Sequence, residues 1–103
     1  MSQSSRAKFY YSKPWQKVRT AIANRDMNIC QVCGRSLHRM YVDHIIPLSV
    51  CDDSQRLDAE NLWTLCGGCH NHKTRCEEKM TAKELKIQTK SDWMRRLQKK
   101  ARP

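Results

Sequence analysis

Val42-Asp43-His44-Ile45-Ile46-Pro47-Leu48 sets an acidic residue beside a histidine inside an apolar run. Cys30 and Cys33 lie before it, Cys66 and Cys69 after it, and His70 follows the second pair directly. Branched and aromatic side chains suit a pleated, half-buried surface, so the composition predicts a strand over Tyr41 to Ile46. Pro47 closes that strand because it has no N–H to give a ladder. Asn61-Leu62-Trp63-Thr64-Leu65 predicts a short extended return into Cys66. The polar loop between them, residues 48–60, carries Ser49, Asp52, Asp53, Ser54 and Asp58 as turn formers, with Asp58 fixing the approach to Asn61.

Two Cys-x-x-Cys units in one short chain read as a structural zinc site of Cys30, Cys33, Cys66 and Cys69. A tetrahedral ion needs four soft ligands at about 2.3 Å, and each unit delivers two from one tight turn. Gly34, after the first unit, permits such a turn, and Gly67-Gly68 form the turn of the second. Disulfide or redox cysteines are the competing reading, and a reducing compartment disfavours it. His38 is an alternative ligand that the symmetry of the two pairs argues against. Cys76 is expected against the core and Cys51 as an exposed thiol of the loop.

The 103 residues allow one small domain with a limited core, the kind of chain that needs a metal or disulfides to hold. Ser2 to Lys8 is polar with no apolar run behind it, so no signal peptide is read there. No stretch is apolar enough to cross a membrane, and no membrane partner is expected. The formal charge of +10 points to a polyanion, most simply nucleic acid. Residues 1–39 hold eight Lys/Arg and one acid, and residues 80–103 eight and two, while residues 40–79 hold four against seven. Basic flanks around an acidic centre suit phosphate-gripping arms around a cation site. Solvated helix faces are the plainer alternative.

Ser12 and Pro14 signal a helix start, and Trp15, Val18 and Ile22 follow at helical spacing, predicting a helix over 14–25. Lys17, Arg19 and Arg25 fall largely off that stripe, on a side that could face phosphates. A turn is expected over 35–40 and a second helix over 69–79. Thr81 with Glu84 fits a capping box for a third, and Ser91 starts a last one. Residues 1–8 lack apolar periodicity and are expected to be disordered. That leaves a domain over 9–80 and a basic helical extension over 81–103.

Asp43-His44, Asn61-Leu62 and Leu65-Cys66-Gly67-Gly68-Cys69-His70-Asn71-His72-Lys73-Thr74 together resemble the HNH endonuclease family. Phe9-Tyr10-Tyr11-Ser12-Lys13-Pro14-Trp15 is similar to the opening helix of small phage and prophage members. The resemblance implies a small α+β fold, with a ββα-metal, treble-clef-like core, structural zinc, and flanking N- and C-terminal helices. It implies His44 as general base, Asn61 as the residue that orients the His44 loop, and His70 with Asp43 as ligands of a catalytic divalent ion. Magnesium or manganese is the usual ion; a histidine ligand leaves nickel or zinc open. The substrate implied is DNA, cut with low sequence specificity to leave 5′-phosphate and 3′-hydroxyl ends. Lys73 is read as a phosphate contact or a solvated helix lysine, and His72 as pointing away from the His70 face. The phage-like opening suggests action beside terminase or packaging proteins in a bacterial cytoplasm. A zinc-stabilised DNA-binding module without chemistry is the alternative.

One difficulty stands against the family pattern. Neighbours on a regular strand point to opposite faces, so Asp43 and His44 cannot both enter one pocket from an ideal strand. Either the ion sits at the strand edge or the chain is locally irregular there, and irregularity is the expectation.

Overall fold

The two apolar runs pair as an antiparallel hairpin of β1 (Met40–His44) and β2 (Leu62–Cys66). Met40 lies opposite Cys66 and His44 opposite Leu62, with no break in register between. The computed structural model describes residues 8–36 and 38–101, so the tail expected to be disordered lies outside it except for Lys8, which opens a helical turn. β1 ends at His44, short of Ile46, because a side chain replaces the partner strand. Asn61 accepts from the Ile46 N–H at 2.8 Å and donates to the Ile46 carbonyl at 3.1 Å.

Alternation along the strands sends Val42, His44 and Leu62 to one face and Asp43, Trp63 and Leu65 to the other. The first face is covered by α1 (Lys13–Arg25), whose Trp15 and Ile22 pack with Leu62, flanked by Phe9, Tyr10, Val18 and Val42. Ser12 caps this helix, its hydroxyl accepting from the Trp15 N–H. The second face is covered by α2 (Gly67–Glu78) and the helices after it, α3 (Ala82–Lys86) and α4 (Lys90–Ala101). Leu85, Trp93 and Leu97 join Trp63, Leu65 and Ile45 in one cluster. With cover on both faces, every residue of β2 is buried.

The helices differ from expectation at their starts. α2 begins at Gly67, because the Cys66 sulfur caps it by accepting from the Cys69 N–H, so both glycines lie in its first turn. α4 begins at Lys90 and not Ser91. Thr89 and Asp92 cap it reciprocally, each side chain accepting from the other's backbone N–H. Trp93 is fully buried and Leu97 nearly so, which makes the C-terminal helix part of the core and not an appendage to it.

Before the hairpin, Gly34 takes φ +79°, the left-handed backbone that lets the chain fold back from Cys33. The ligand atoms of Cys30, Cys33, Cys66 and Cys69 then all lie within 4.8 Å of one another. Tetrahedral bonds of about 2.3 Å require sulfurs about 3.8 Å apart, and those of Cys33 and Cys66 are 3.7 Å apart. Burial and the neighbouring Cys30 push the Cys69 thiol up, while at Cys30 burial is outweighed by hydrogen bonds from the Cys33, Cys66 and Val32 backbones, which bring that thiol down to about 7. The four cysteines are positioned to bind a metal ion.

The two edges of the hairpin are treated differently. At the outer edge of β2, the Thr64 N–H donates to Asp26 at 2.9 Å and the Thr64 carbonyl accepts from Gln31 at 2.9 Å. Arg25 donates to the Leu62 carbonyl at 2.8 Å and to the Ala59 carbonyl at 2.9 Å, while its guanidinium pairs with Asp26. This two-residue staple joins the end of α1 to β2. Burial works to raise the Asp26 pKa, but the bonds from Arg25 and Thr64 outweigh it and hold the carboxyl below its ordinary range.

Two outcomes follow for stability. Cys30→Ser removes one of four ligands, and since metal binding in so small a domain is largely folding free energy, circular dichroism should show loss of native structure and elemental analysis loss of bound metal. Asp26→Ala leaves the Thr64 N–H without its acceptor and Arg25 without its carboxylate partner and should cost about 2 kcal/mol in urea denaturation at neutral pH. A lowered folded-state pKa gives stability that is present above the unfolded value and lost as pH falls through the folded one. The cost should therefore be unchanged at about pH 5.5.

Candidate active site

Among the described residues no strand pairs with the outer edge of β1, which borders a cleft of ≈ 700 Å³. Asp43 and His44 of β1, His70 of α2 and Arg19 of α1 all line it, together with Arg39 and Tyr10. The expected irregularity is not needed. The register is regular through His44, and a cleft that wraps a bare strand edge is reached from both faces at once.

On one face, Asp43 is held by one oxygen. Its Oδ2 accepts from the Trp63 indole at 3.1 Å and lies 3.0 Å from the Lys73 ammonium. Its Oδ1 faces the His70 Nε2 at 3.8 Å. The His70 ring stacks on Tyr41, centroids 4.9 Å apart and planes within 10°, which fixes where its nitrogen points. Two ligands bound to one hard ion at about 2.1 Å lie roughly 3 to 4 Å apart, so this oxygen and nitrogen fit the demands of a single divalent cation. A carboxylate with an imidazole suits manganese or a similar borderline ion as well as magnesium.

On the other face, His44 is buried and stacks on Trp15, ring centroids 5.2 Å apart at 18°, with Phe9 and Tyr10 closing around it. Its Nε2 lies 2.9 Å from the Arg56 carbonyl. A carbonyl can only accept, so Nε2 carries the proton and Nδ1 keeps the lone pair of the neutral ring. Burial lowers the His44 pKa against the pull of the Arg56 carbonyl and Asp43. Asn61 lies behind this ring. Its side chain ties Ile46 to Gln55, and its own carbonyl accepts from the Ile45 N–H at 2.8 Å. Asp58 caps the turn that delivers Asn61, accepting from the Glu60 N–H.

Lys73 corrects the sequence reading. Its side chain has no exposed surface, which removes it from the reach of any phosphate and from solvent alike. Its ammonium donates to the His44 carbonyl at 2.8 Å and to Glu77, and it sits 4.5 Å over the Trp93 ring. Lys17 is exposed on α1 but does not line the cleft, whereas Arg19 does. His38 lies outside the sulfur cluster, and His72 lines a separate hollow with Arg75, Cys76 and Lys79. Cys76 packs against the core as expected, and Cys51 is half-buried, its thiol near the Leu48 carbonyl. Arg39, Trp15 and Glu77 also line the cleft, beyond the residues the sequence points to. Arg39 gave a signal in its charge one residue before the strand. Trp15 read only as core, since nothing in a helical stripe shows that one member faces a histidine.

A family profile described as HNH endonuclease matches residues 30–75, the span from the first cysteine into α2. A protein of Lactococcus phage SK1 described as a probable HNH endonuclease is 39% identical over 70 residues, 64% of this chain and 74% of that one. Among solved structures, the HNH endonuclease of the deep-sea thermophilic bacteriophage GVE2, crystallised with a manganese ion, superposes with a TM-score of 0.65. It is 43% identical and the match covers 76% of this chain and 86% of that one. A hairpin, a cysteine-capped helix and a cleft on the bare strand edge thus coincide with the matched sequence, and this chain belongs to the HNH endonuclease family.

Proposed function

We propose that this protein hydrolyses DNA phosphodiester bonds with His44 as general base and one exchangeable divalent ion held by Asp43 and His70. In this reading zinc occupies the four cysteines and serves the fold. The observation that carries the proposal is the pairing of Asp43 Oδ1 with His70 Nε2 at 3.8 Å in the cleft that His44 also lines.

The steps of the chain's own residues follow from their partners. Arg19 and Arg39 supply the positive charge that draws a phosphate backbone to the cleft. The Nδ1 of His44 takes a proton from water as its oxygen bonds to phosphorus, and the Arg56 carbonyl keeps Nε2 as the donor throughout. The bond from phosphorus to the 3′ oxygen breaks, and that oxygen leaves as a hydroxyl after protonation by water. A divalent ion supplies, when bound, the charge that offsets the negative charge growing on the phosphate oxygens. Trp15 and Asn61 hold the ring and the loop behind it, so the base does not have to be ordered at each turnover. The phage origin of both relatives supports a role in phage DNA processing beside terminase-type proteins in the host cytoplasm.

Plasmid nicking tests this. Native protein should cut only with added magnesium or manganese, and His44→Ala should cut about 10²- to 10⁴-fold more slowly while keeping its circular dichroism spectrum. A folded His44→Ala variant that nicks at the native rate removes His44 as the base.

A further inference from the structure

Lys73 presents a buried ammonium between two carboxylates, directly behind the cleft. The ammonium donates to the His44 carbonyl and to Glu77 Oε2, and forms an ion pair with Asp43 Oδ2 at 3.0 Å. Trp93 of α4 closes over it, and its side chain is 0% exposed. Fixed from four sides, this group cannot follow a ligand. It can decide how its neighbours meet one.

Asp43 has two oxygens, and the pair of donors falls on one of them. The Trp63 indole and the Lys73 ammonium both address Oδ2, leaving Oδ1 towards His70. A carboxylate held in this way offers one oxygen to a cation and cannot swing to grip it with both. The same ammonium holds the His44 carbonyl, so one charge sets both consecutive residues of β1. It also cancels one negative charge next to the ion, which weakens the hold on a divalent cation and leaves more of its coordination shell for phosphate and water.

We propose that Lys73 is a positioning residue that restricts Asp43 to one-oxygen ligation of the catalytic cation, trading tight metal binding for turnover. This rests on the reading of Asp43 and His70 as ligands. Loss of an outer partner of a metal ligand ordinarily weakens metal binding or activity by about 10- to 100-fold. Here the partner is itself a cation, so binding and turnover should move in opposite directions.

The test is titration of the full-length, zinc-loaded protein with manganese, followed by the electron paramagnetic resonance signal of free Mn²⁺, alongside nicking kinetics. Lys73→Met should bind manganese about tenfold more tightly, through loss of the opposing charge and gain of the second Asp43 oxygen, with kcat lower by about 10- to 100-fold. Lys73→Met/Glu77→Gln, which removes the acid left without its partner, should keep the low kcat and serves if the single variant fails to fold. Manganese affinity and kcat both within twofold of native in either folded variant would overturn the proposal, and so would weaker binding together with lower kcat. Asp43→Ala separates this from the underlying reading. If it binds manganese as native protein does, the ligand assignment itself is wrong; if it loses manganese while the Lys73 variants are unchanged, only the role of Lys73 falls.

Discussion

Side chains that follow one another along a strand point in opposite directions, and this site uses two of them. Asp43 serves the face towards α2, where His70 waits, and His44 serves the face towards α1, where Trp15 and Phe9 enclose it. The two can serve one cleft because, among the described residues, no strand pairs with the outer edge of β1 between them. The rest of the molecule is consistent with keeping it so. Among the described residues the sheet has two strands; Asp26, Gln31 and Arg25 bind the backbone of the far edge, whereas on β1 Lys73 takes the His44 carbonyl.

A sheet of two strands is not stable by itself in water, and here the deficit is met at both ends. The sulfur cluster joins the chain before β1 to the end of β2 and the start of α2. At the opposite end, Asn61 replaces a strand partner for Ile46, and Trp93 donates its indole N–H to the Ile45 carbonyl at 2.9 Å. Asp43 and His44 are therefore bracketed between a metal-binding clasp and a set of side chain to backbone bonds. That bracing holds the His44 ring on Trp15 and Asp43 Oδ2 beside Trp63 and Lys73.

The features legible in the sequence are those whose cause is local. The Cys-x-x-Cys spacing, the Ser12 cap with Pro14 behind it, the box of Thr81 and Glu84, and the apolar runs of the hairpin all act within a few residues. The features that escaped join distant parts of the chain. Asp26 reads as an ordinary acid after a helix, and only the fold shows that its oxygen meets the N–H of Thr64 38 positions later. Lys73 shares a helical face with His70, which was visible, but the ring of Trp93 that shuts it from water was not. Ser91 reads as the start of α4, but the reciprocal bonds between Thr89 and Asp92 set it one residue earlier.

An uncovered strand edge is also a template on which strands of other molecules can assemble. β1 is only five residues long and carries Asp43 within it, with Arg39 before it and Pro47 soon after it. Brevity, charge and a missing donor are the devices by which proteins discourage such edge-to-edge growth. The strand that borders the cleft is thus accompanied by features that make it a poor seed for aggregates.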